Sequence, residues 1–284
     1  FGGDTDNWMW PRHTGDFALF RVYTGVDGKP AEYSENNIPL KPKHHLPISL
    51  DGVKENDFSM IFGYPGGTDR YLSSFGINHA LDLYNPTVVD IRTGLLEVLK
   101  KHMNSDPEIN IDYASKKSRI SNYWKYYQGQ SQQLKALNVY DQKRKIETDF
   151  LNFVNKSEEN KKLYGNVLSD IEEAYKIIND FTLSEVCFYE GAWGGPDALR
   201  FSRRFSSQML GAVNSNNMDV IRETANSLRV FVSDFFKEYD TDVDADLFLS
   251  GMESYVKLCP KEQLPGVLLE NTDLEKWAQN VYEN

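Results

Sequence analysis

The chain has 284 residues, with 31 Lys and Arg against 42 Asp and Glu, so its formal net charge is −11 at pH 7. Because phosphate binding requires clustered basic side chains, this balance argues against nucleic acid or an anionic membrane as a partner. No apolar run approaches the roughly 18 residues of a spanning helix, so no membrane span is predicted. Two cysteines, Cys187 and Cys259, exclude a disulfide-rich scaffold, but one disulfide between them stays open.

The N-terminal region has the composition of a β structure with many turns. Residues 1–88 contain 10 of the 19 glycines and 7 of the 11 prolines. Residues 16–23 are rich in β-forming side chains and are followed by turn residues, which predicts a strand. Residues 57–64 and 70–75 flank a Pro-Gly-Gly turn, and this pattern predicts an antiparallel hairpin.

From Asn85 onward, glycine and proline become rare and apolar residues recur every three or four positions, as in a helix that buries one face. The rest of the chain is therefore predicted to be almost entirely helical. The predicted helices cover about 86–103, 112–155, 159–180, 196–212, 217–238, 242–258 and 272–282.

The most unusual stretch is residues 1–16, which combines two Trp with Gly, Asp, His and Arg. For Trp8 and Trp10, a packing role at the edge of a hydrophobic core is as compatible with the sequence as a functional role. Asp16 precedes an apolar segment, where it could simply cap the strand. The pattern Asp-x-Ala-Leu-x-Arg-Val that begins at Asp16 also resembles the segment of chymotrypsin-fold serine peptidases in which an Asp orients the catalytic His.

A serine hydrolase also needs a nucleophile on a glycine-flanked turn surrounded by amide donors. No Gly-x-Ser-x-Gly or comparable turn occurs in the 284 residues. If Asp16 belongs to a catalytic triad, the Ser must lie outside this chain, and we expect the same of the His.

No metal site or cofactor is predicted. Residues 240–244 imitate the start of a calcium loop, but Ala245 and Gly251 occupy the positions that require Gly and a bidentate Glu. We interpret this stretch as an acidic helix start, which the helix dipole favours. The five histidines show no spacing typical of zinc ligands.

Three motifs carry a family resemblance, and the first of them is long and contiguous. They read Phe1-Gly2-Gly3-Asp4-x-Asp6-Asn7-Trp8-x-Trp10-Pro11-Arg12-His13-Thr14-Gly15-Asp16-Phe17, then Phe62-Gly63-Tyr64-Pro65-Gly66, then Ser121-Asn122-Tyr123-Trp124-Lys125 with Gly129. Together they closely resemble the bacterial dipeptidyl-peptidase 7 and dipeptidyl-peptidase 11 family of serine peptidases. The resemblance spans the whole chain but well under half of a full-length family member.

The resemblance implies an α+β fold, in which a partial chymotrypsin-like antiparallel β-barrel region is followed by a large α-helical domain that covers the cleft. Residues 1–85 would belong to the double-barrel peptidase domain and residues 86–284 to the inserted helical cap. Family members carry the catalytic His upstream of Phe1 and the nucleophilic Ser downstream of Asn284. This chain alone is therefore expected to be inactive.

Four residues match family positions with assigned roles. Asp16 matches the triad Asp, which holds the tautomer of the His and stabilises the imidazolium. Asn7, Trp8 and Asn122 match the group that binds the free α-amino group of the substrate. Asp4 and Asp6 could add negative potential there, although capping of the loop is the simpler interpretation.

The expected partners are peptides with a free N-terminus, and the resemblance implies a periplasmic or secreted protein of a Gram-negative bacterium. A homodimer of the full-length protein stays open. Because Phe1 is not a methionine, we expect a processed product or a piece of a longer protein. The alternative is a non-catalytic helical interaction domain with a small β-subdomain.

Overall fold

The computed structural model describes Trp8 and residues 18–60, 62–63 and 66–283. The chain divides into two compact units, Phe1–Arg70 and Tyr71–Asn284. The boundary predicted after residue 85 concerns the barrel and cap of the whole protein and stays a prediction.

The first unit contains a short antiparallel ladder between β1 (Tyr23–Thr24) and β2 (Ile38–Pro39). The amide of Leu40 extends this ladder by donating to the carbonyl oxygen of Val22 at 2.9 Å. Gly28 has a φ of 77°, a left-handed conformation that suits the turn between the two strands. The strand predicted over residues 16–23 is thus observed only at its end, among the residues that the structure describes.

The hairpin predicted from 57–64 and 70–75 is wrong for the described residues, which form no strand there. A strand needs a neighbour that pairs with its N–H and C=O groups, and β propensity only reflects a good fit to such a surface. The side chains of Phe58 and Phe62 remain 90% and 98% exposed. The sequence pattern is therefore that of a strand, but the described part of the chain supplies no partner for it.

The second part of the predicted hairpin runs into α1 (Ser74–Asn78) instead. Ser73 caps this helix, since its hydroxyl oxygen accepts from the amide of Gly76. The amide and the hydroxyl of Ser74 both donate to the buried carboxylate of Glu147, each at 2.7 Å. Hydrogen bonds to a distant helix thus override the local β pattern.

The rest of the second unit is helical, and two π-helical segments interrupt the α-helices. The order is the π segment His79–Tyr84, α2 (Asn85–Ser105), α3 (Pro107–Asp112), α4 (Ala114–Ala136), α5 (Val139–Val154), α6 (Glu158–Tyr164), α7 (Val167–Val186), the π segment Cys187–Ala192, α8 (Asp197–Asn214), α9 (Met218–Phe235), α10 (Thr241–Leu258), a 3₁₀ turn Lys261–Gln263, α11 (Gly266–Glu270) and α12 (Leu274–Tyr282).

The helices predicted at α2, α8, α9, α10 and α12 are confirmed. The helix predicted over 159–180 is divided into α6 and α7, and the long helix predicted over 112–155 is broken. Asn138 lies in the left-handed region, with φ 50° and ψ 44°, and separates α4 from α5. Asparagine tolerates this conformation better than most residues. The apolar period is similar on both sides of the break, so periodicity did not reveal it.

The core of the second unit lies where α2 packs against α4, α10 and the second π segment. The buried stripe of α2 has the spacing i, i+3, i+7, i+11, and each such aliphatic side chain contributes roughly 1.5–3 kcal/mol by burial. Where α10 crosses the second π segment, a Cβ at Gly251 would collide with the carbonyl oxygen of Gly191, so the close contact between these two elements requires glycine. The stripe consists of Val88, Ile91, Leu95 and Leu99.

The first turn of α10 contains a fully buried carboxylate, that of Asp244. It accepts hydrogen bonds from the amides of Asp197 and Ala198, the first residues of α8. It also accepts from the hydroxyl of Tyr282 on α12 at 2.9 Å and from that of Tyr239 at 3.3 Å. One side chain therefore joins the ends of α8, α10 and α12.

We predict that Asp244→Ala destabilises the chain by about 3–5 kcal/mol, because it leaves several buried donors without an acceptor. Asp242→Ala is the matched control, since Asp242 is an exposed residue of the same helical turn and should change stability by less than about 0.5 kcal/mol. Urea unfolding of the chain measures both. Equal losses for the two variants would contradict the proposed role of Asp244.

Candidate functional site

The structure describes two of the four residues predicted to form the site. Asn7 and Asp16 lie outside the described residues. Trp8 belongs to the first unit and Asn122 to α4 of the second. The roles predicted for all four residues therefore stay predictions, and the helical unit supplies the geometry around Asn122.

Trp8 has a φ of 60° and a side chain that is 51% exposed. A bulky residue in the left-handed region is uncommon, because its Cβ crowds the backbone. Such conformations concentrate at ligand-binding and catalytic sites, where the local strain has a use. Trp8 therefore has an unusual backbone conformation, and its predicted binding role stays a prediction.

The first turn of α4 is fixed by a buried ion pair. Lys116 Nζ lies 2.7 Å from Asp197 Oδ2, and the Lys116 side chain is almost fully buried. The other carboxylate oxygen of Asp197 accepts from Arg200 at 2.7 Å. Because the amide of Asp197 is bound to Asp244, this pair connects α4 to the junction of α8 and α10.

The middle of α4 is fixed by two consecutive residues of α2. The guanidinium of Arg92 donates to the carbonyl oxygen of Ile120 at 3.1 Å. The indole N–H of Trp124 donates to the hydroxyl oxygen of Thr93 at 2.9 Å. Asn122 lies between these two attachment points and is half-buried.

Arg92 is held in turn by Glu190 from the second π segment. Arg92 Nε lies 2.7 Å from Glu190 Oε2, and both side chains are largely buried. The guanidinium carbon also lies 5.4 Å from the centre of the Tyr123 ring, within the range of a cation–π contact. Single π turns inside helices are frequent at functional sites.

An aromatic cluster joins α4 to the first π segment. The Tyr127 ring centre is 5.0 Å from that of Tyr126 and 5.5 Å from that of Tyr84. Burial, together with the hydrogen bond to Tyr84, raises the pKa of Tyr127 above its usual value. Phenol oxygens, ring faces and the Asn122 amide are chemically suited to receive an ammonium group.

Sequence reasoning missed Arg92, Glu190, Thr93 and Asp244. These residues act through helix–helix contacts, which leave no pattern in the sequence. Asp244 lies in the acidic run 240–244, which the sequence analysis interprets as a helix start. That interpretation is confirmed, since the Asp240 carboxylate accepts from the amide of Val243 at 2.9 Å.

Within the described ranges, no group of three or more His, Cys, Asp or Glu side chains is placed to hold a metal ion. In that same part of the chain, no helix has the length and apolar character to cross a membrane.

The chain belongs to the Peptidase S46 family, whose sequence model matches residues 1–284. It is 39% identical to an Asp/Glu-specific dipeptidyl-peptidase of Capnocytophaga gingivalis over 100% of this chain and 40% of that protein. It is 35% identical to a dipeptidyl-peptidase 7 of Porphyromonas gingivalis over 100% of this chain and 39% of that protein. The chain thus spans about two fifths of the length of these relatives.

Solved structures give the same family assignment. The crystal structure of Porphyromonas endodontalis DPP11 in complex with the dipeptide Arg-Asp superposes with a TM-score of 0.73 at 27% identity, covering 100% of this chain and 41% of that one. The complex of the same enzyme with Arg-Glu gives a TM-score of 0.70 at 28% identity. The expected family resemblance is therefore confirmed.

The ion pair at the start of α4 should make stability depend on pH. Burial alone raises the pKa of Asp197, but Lys116 and Arg200 outweigh it and hold that pKa below its usual value. A carboxyl with a lowered pKa in the folded state stabilises the fold fully above its unfolded pKa of about 3.9, and this contribution is lost as the pH falls through the folded pKa.

We therefore expect the free energy of unfolding to decline below about pH 4 and to decline less steeply in Asp197→Asn. Urea unfolding between about pH 2.5 and 7 measures this dependence. Asp219→Asn, at a side chain that is 92% exposed, is the control and should follow the wild type. A variant Asp197→Asn with the full acid sensitivity of the wild type would refute the assignment.

Proposed function

We propose that the protein to which this chain belongs is a serine exopeptidase that releases dipeptides from the free N-terminus of peptides. Membership of the Peptidase S46 family over residues 1–284 carries this proposal. The names of the relatives and the dipeptide complexes of the similar structure support it. No observation favours the alternative of a non-catalytic interaction domain.

We further propose that residues 1–85 are part of a chymotrypsin-like β-barrel whose remaining strands lie outside this chain, and that residues 86–284 form the inserted helical cap. Large apolar side chains of the first unit, such as Leu19 and Phe20, are each 91% exposed. Exposure of so many large apolar groups is unfavourable in water, so we expect further strands of the barrel to cover them. The length of the relatives, of which this chain spans about two fifths, leaves room for such strands.

In this proposal Asp16 is the carboxylate of a Ser-His-Asp triad, and the His and Ser come from segments outside the chain. The carboxylate holds the imidazole in the tautomer that accepts the proton of the Ser hydroxyl. The Ser oxygen then attacks the scissile carbonyl, the peptide C–N bond breaks as the His gives the proton to the leaving amine, and water hydrolyses the resulting acyl-enzyme.

Asn7, Trp8 and Asn122 form the proposed binding site for the substrate ammonium. Side-chain and backbone carbonyl oxygens accept hydrogen bonds from a charged amine, and such charge-assisted bonds are stronger than neutral ones. Closing the pocket behind the amine limits the enzyme to two residues before the scissile bond. The left-handed backbone of Trp8 and the firm attachment of the α4 turn around Asn122 support this assignment.

We also propose a periplasmic or secreted location, on the basis of the family resemblance. A homodimer is the oligomeric state to test for the full-length protein.

Asp16→Asn in the full-length protein should keep the fold and lower kcat by about 10⁴-fold, as for the equivalent change in a Ser-His-Asp protease. The asparagine cannot hold the His in the required tautomer. Steady-state kinetics on a dipeptidyl reporter measure the loss, and circular dichroism checks the fold. A loss below about tenfold would instead point to Asp4 or Asp6 as the triad member.

Asn122→Ala in the full-length enzyme should lower kcat/KM for free-amine substrates by about 10- to 200-fold, because the ammonium loses an acceptor in a desolvated site. Acetylation of the substrate N-terminus should abolish most cleavage by the wild type, since it removes the charge and adds bulk. Kinetics on the free and the acetylated form of one peptide, with both enzymes, provide the test. An unchanged Asn122→Ala variant, or a wild type that ignores acetylation, would refute the ammonium site.

A further inference from the structure

Arg92 is a largely buried charged residue that the proposed catalytic steps do not use. Its side chain is 14% exposed and forms an ion pair with Glu190, whose side chain is 17% exposed. A buried ion pair often stabilises a fold no better than apolar side chains of the same size would. Stability alone therefore does not explain this pair, and the other contacts of Arg92 indicate a functional role.

Those contacts converge on the turn of α4 that contains Asn122. In a helix, the carbonyl oxygen of Ile120 already accepts from the amide four residues later, and Arg92 adds a second donor to it. The guanidinium also lies over the Tyr123 ring. Two contacts from one side chain thus fix the backbone two residues before Asn122 and the side chain of the residue that follows it.

The neighbouring residue of α2 completes the attachment. Thr93 donates its hydroxyl proton to the carbonyl oxygen of Val89 at 2.7 Å and accepts the indole N–H of Trp124 at 2.9 Å. The hydroxyl is therefore fixed as an acceptor towards α4. Farther along α4, the side-chain amide of Asn85 donates to Gln130 at 2.9 Å. Rotation of α4 about its axis would break these contacts together.

We propose that Arg92, held by Glu190, is a positioning residue that sets the orientation of Asn122 towards the substrate ammonium. This inference rests on the proposed function, because it assumes that Asn122 binds the amine. Arg92 itself need not touch the substrate. It acts by fixing the turn of α4 on which Asn122 stands, and the negative charge of Glu190, 2.7 Å from Arg92 Nε, holds the guanidinium in place.

The test uses the full-length enzyme and a free-amine dipeptidyl reporter. Arg92→Gln should raise KM by about 3- to 30-fold with kcat within about twofold, because a displaced amine acceptor weakens ground-state and transition-state binding alike. Arg92→Lys should recover part of the loss, since it keeps the positive charge but not the planar guanidinium. Lys257→Gln is the matched control: it breaks an exposed pair between α10 and Asp90 of α2 and should leave KM unchanged.

A double-mutant cycle separates this inference from the proposed function. In the Asn122→Ala background, Arg92→Gln should change KM by less than about twofold, because the group that it positions is gone. If the two effects multiply, or if Arg92→Gln lowers the melting temperature without moving KM, the positioning role is wrong while the ammonium site stands. If Asn122→Ala is itself silent, the ammonium site fails first.

Glu190→Gln provides a second variant should Arg92→Gln fold poorly. It keeps the shape of the carboxylate and leaves Arg92 in place, but removes the charge that orients the guanidinium. We expect a rise in KM in the same direction and of smaller size. An unchanged KM in Glu190→Gln, in an enzyme that remains sensitive to Asn122→Ala, would contradict the inference.

Discussion

The carboxylate of Asp244 imposes the constraint on which the helical unit depends. A fully buried carboxylate is tolerated only when donors surround it, and here the donors come from the first amides of α8, from Tyr239 and from Tyr282. The chain must therefore bring α8, α10 and α12 together before this group can be desolvated. Asp197, at the start of α8, then reaches Lys116 and extends the constraint to α4.

The consequence for function concerns the rigidity of α4. In the function proposed above, the substrate amine is held at a fixed distance from the scissile bond, so the helix that carries the proposed amine acceptor should not rotate or slide. Buried charges fix α4 at its first turn, and α2 fixes it again on both sides of Asn122. Burying these charges costs free energy, and the contacts that they form hold α4 in one position.

How much of this could be predicted from the sequence differs between elements. The apolar periods of α2, α8, α9, α10 and α12 indicated these helices because each buries one face. The break at Asn138 left no trace in the period, and the strand pattern of 70–75 gave way to hydrogen bonds between Ser74 and the distant Glu147. The motif residues were recognised by resemblance, whereas Arg92 and Asp244 act across helices, and a single sequence carries no signal of such pairings.

In the proposed function, a rigid α4 presents Asn122 to the ammonium of the substrate. A crystal structure of the full-length protein with a bound dipeptide would show this contact. We expect the Asn122 side-chain oxygen to lie about 3 Å from the dipeptide nitrogen, with the contact between Arg92 and Ile120 intact. A dipeptide whose amine is bound elsewhere, with Asn122 directed away from it, would refute this role of Asn122.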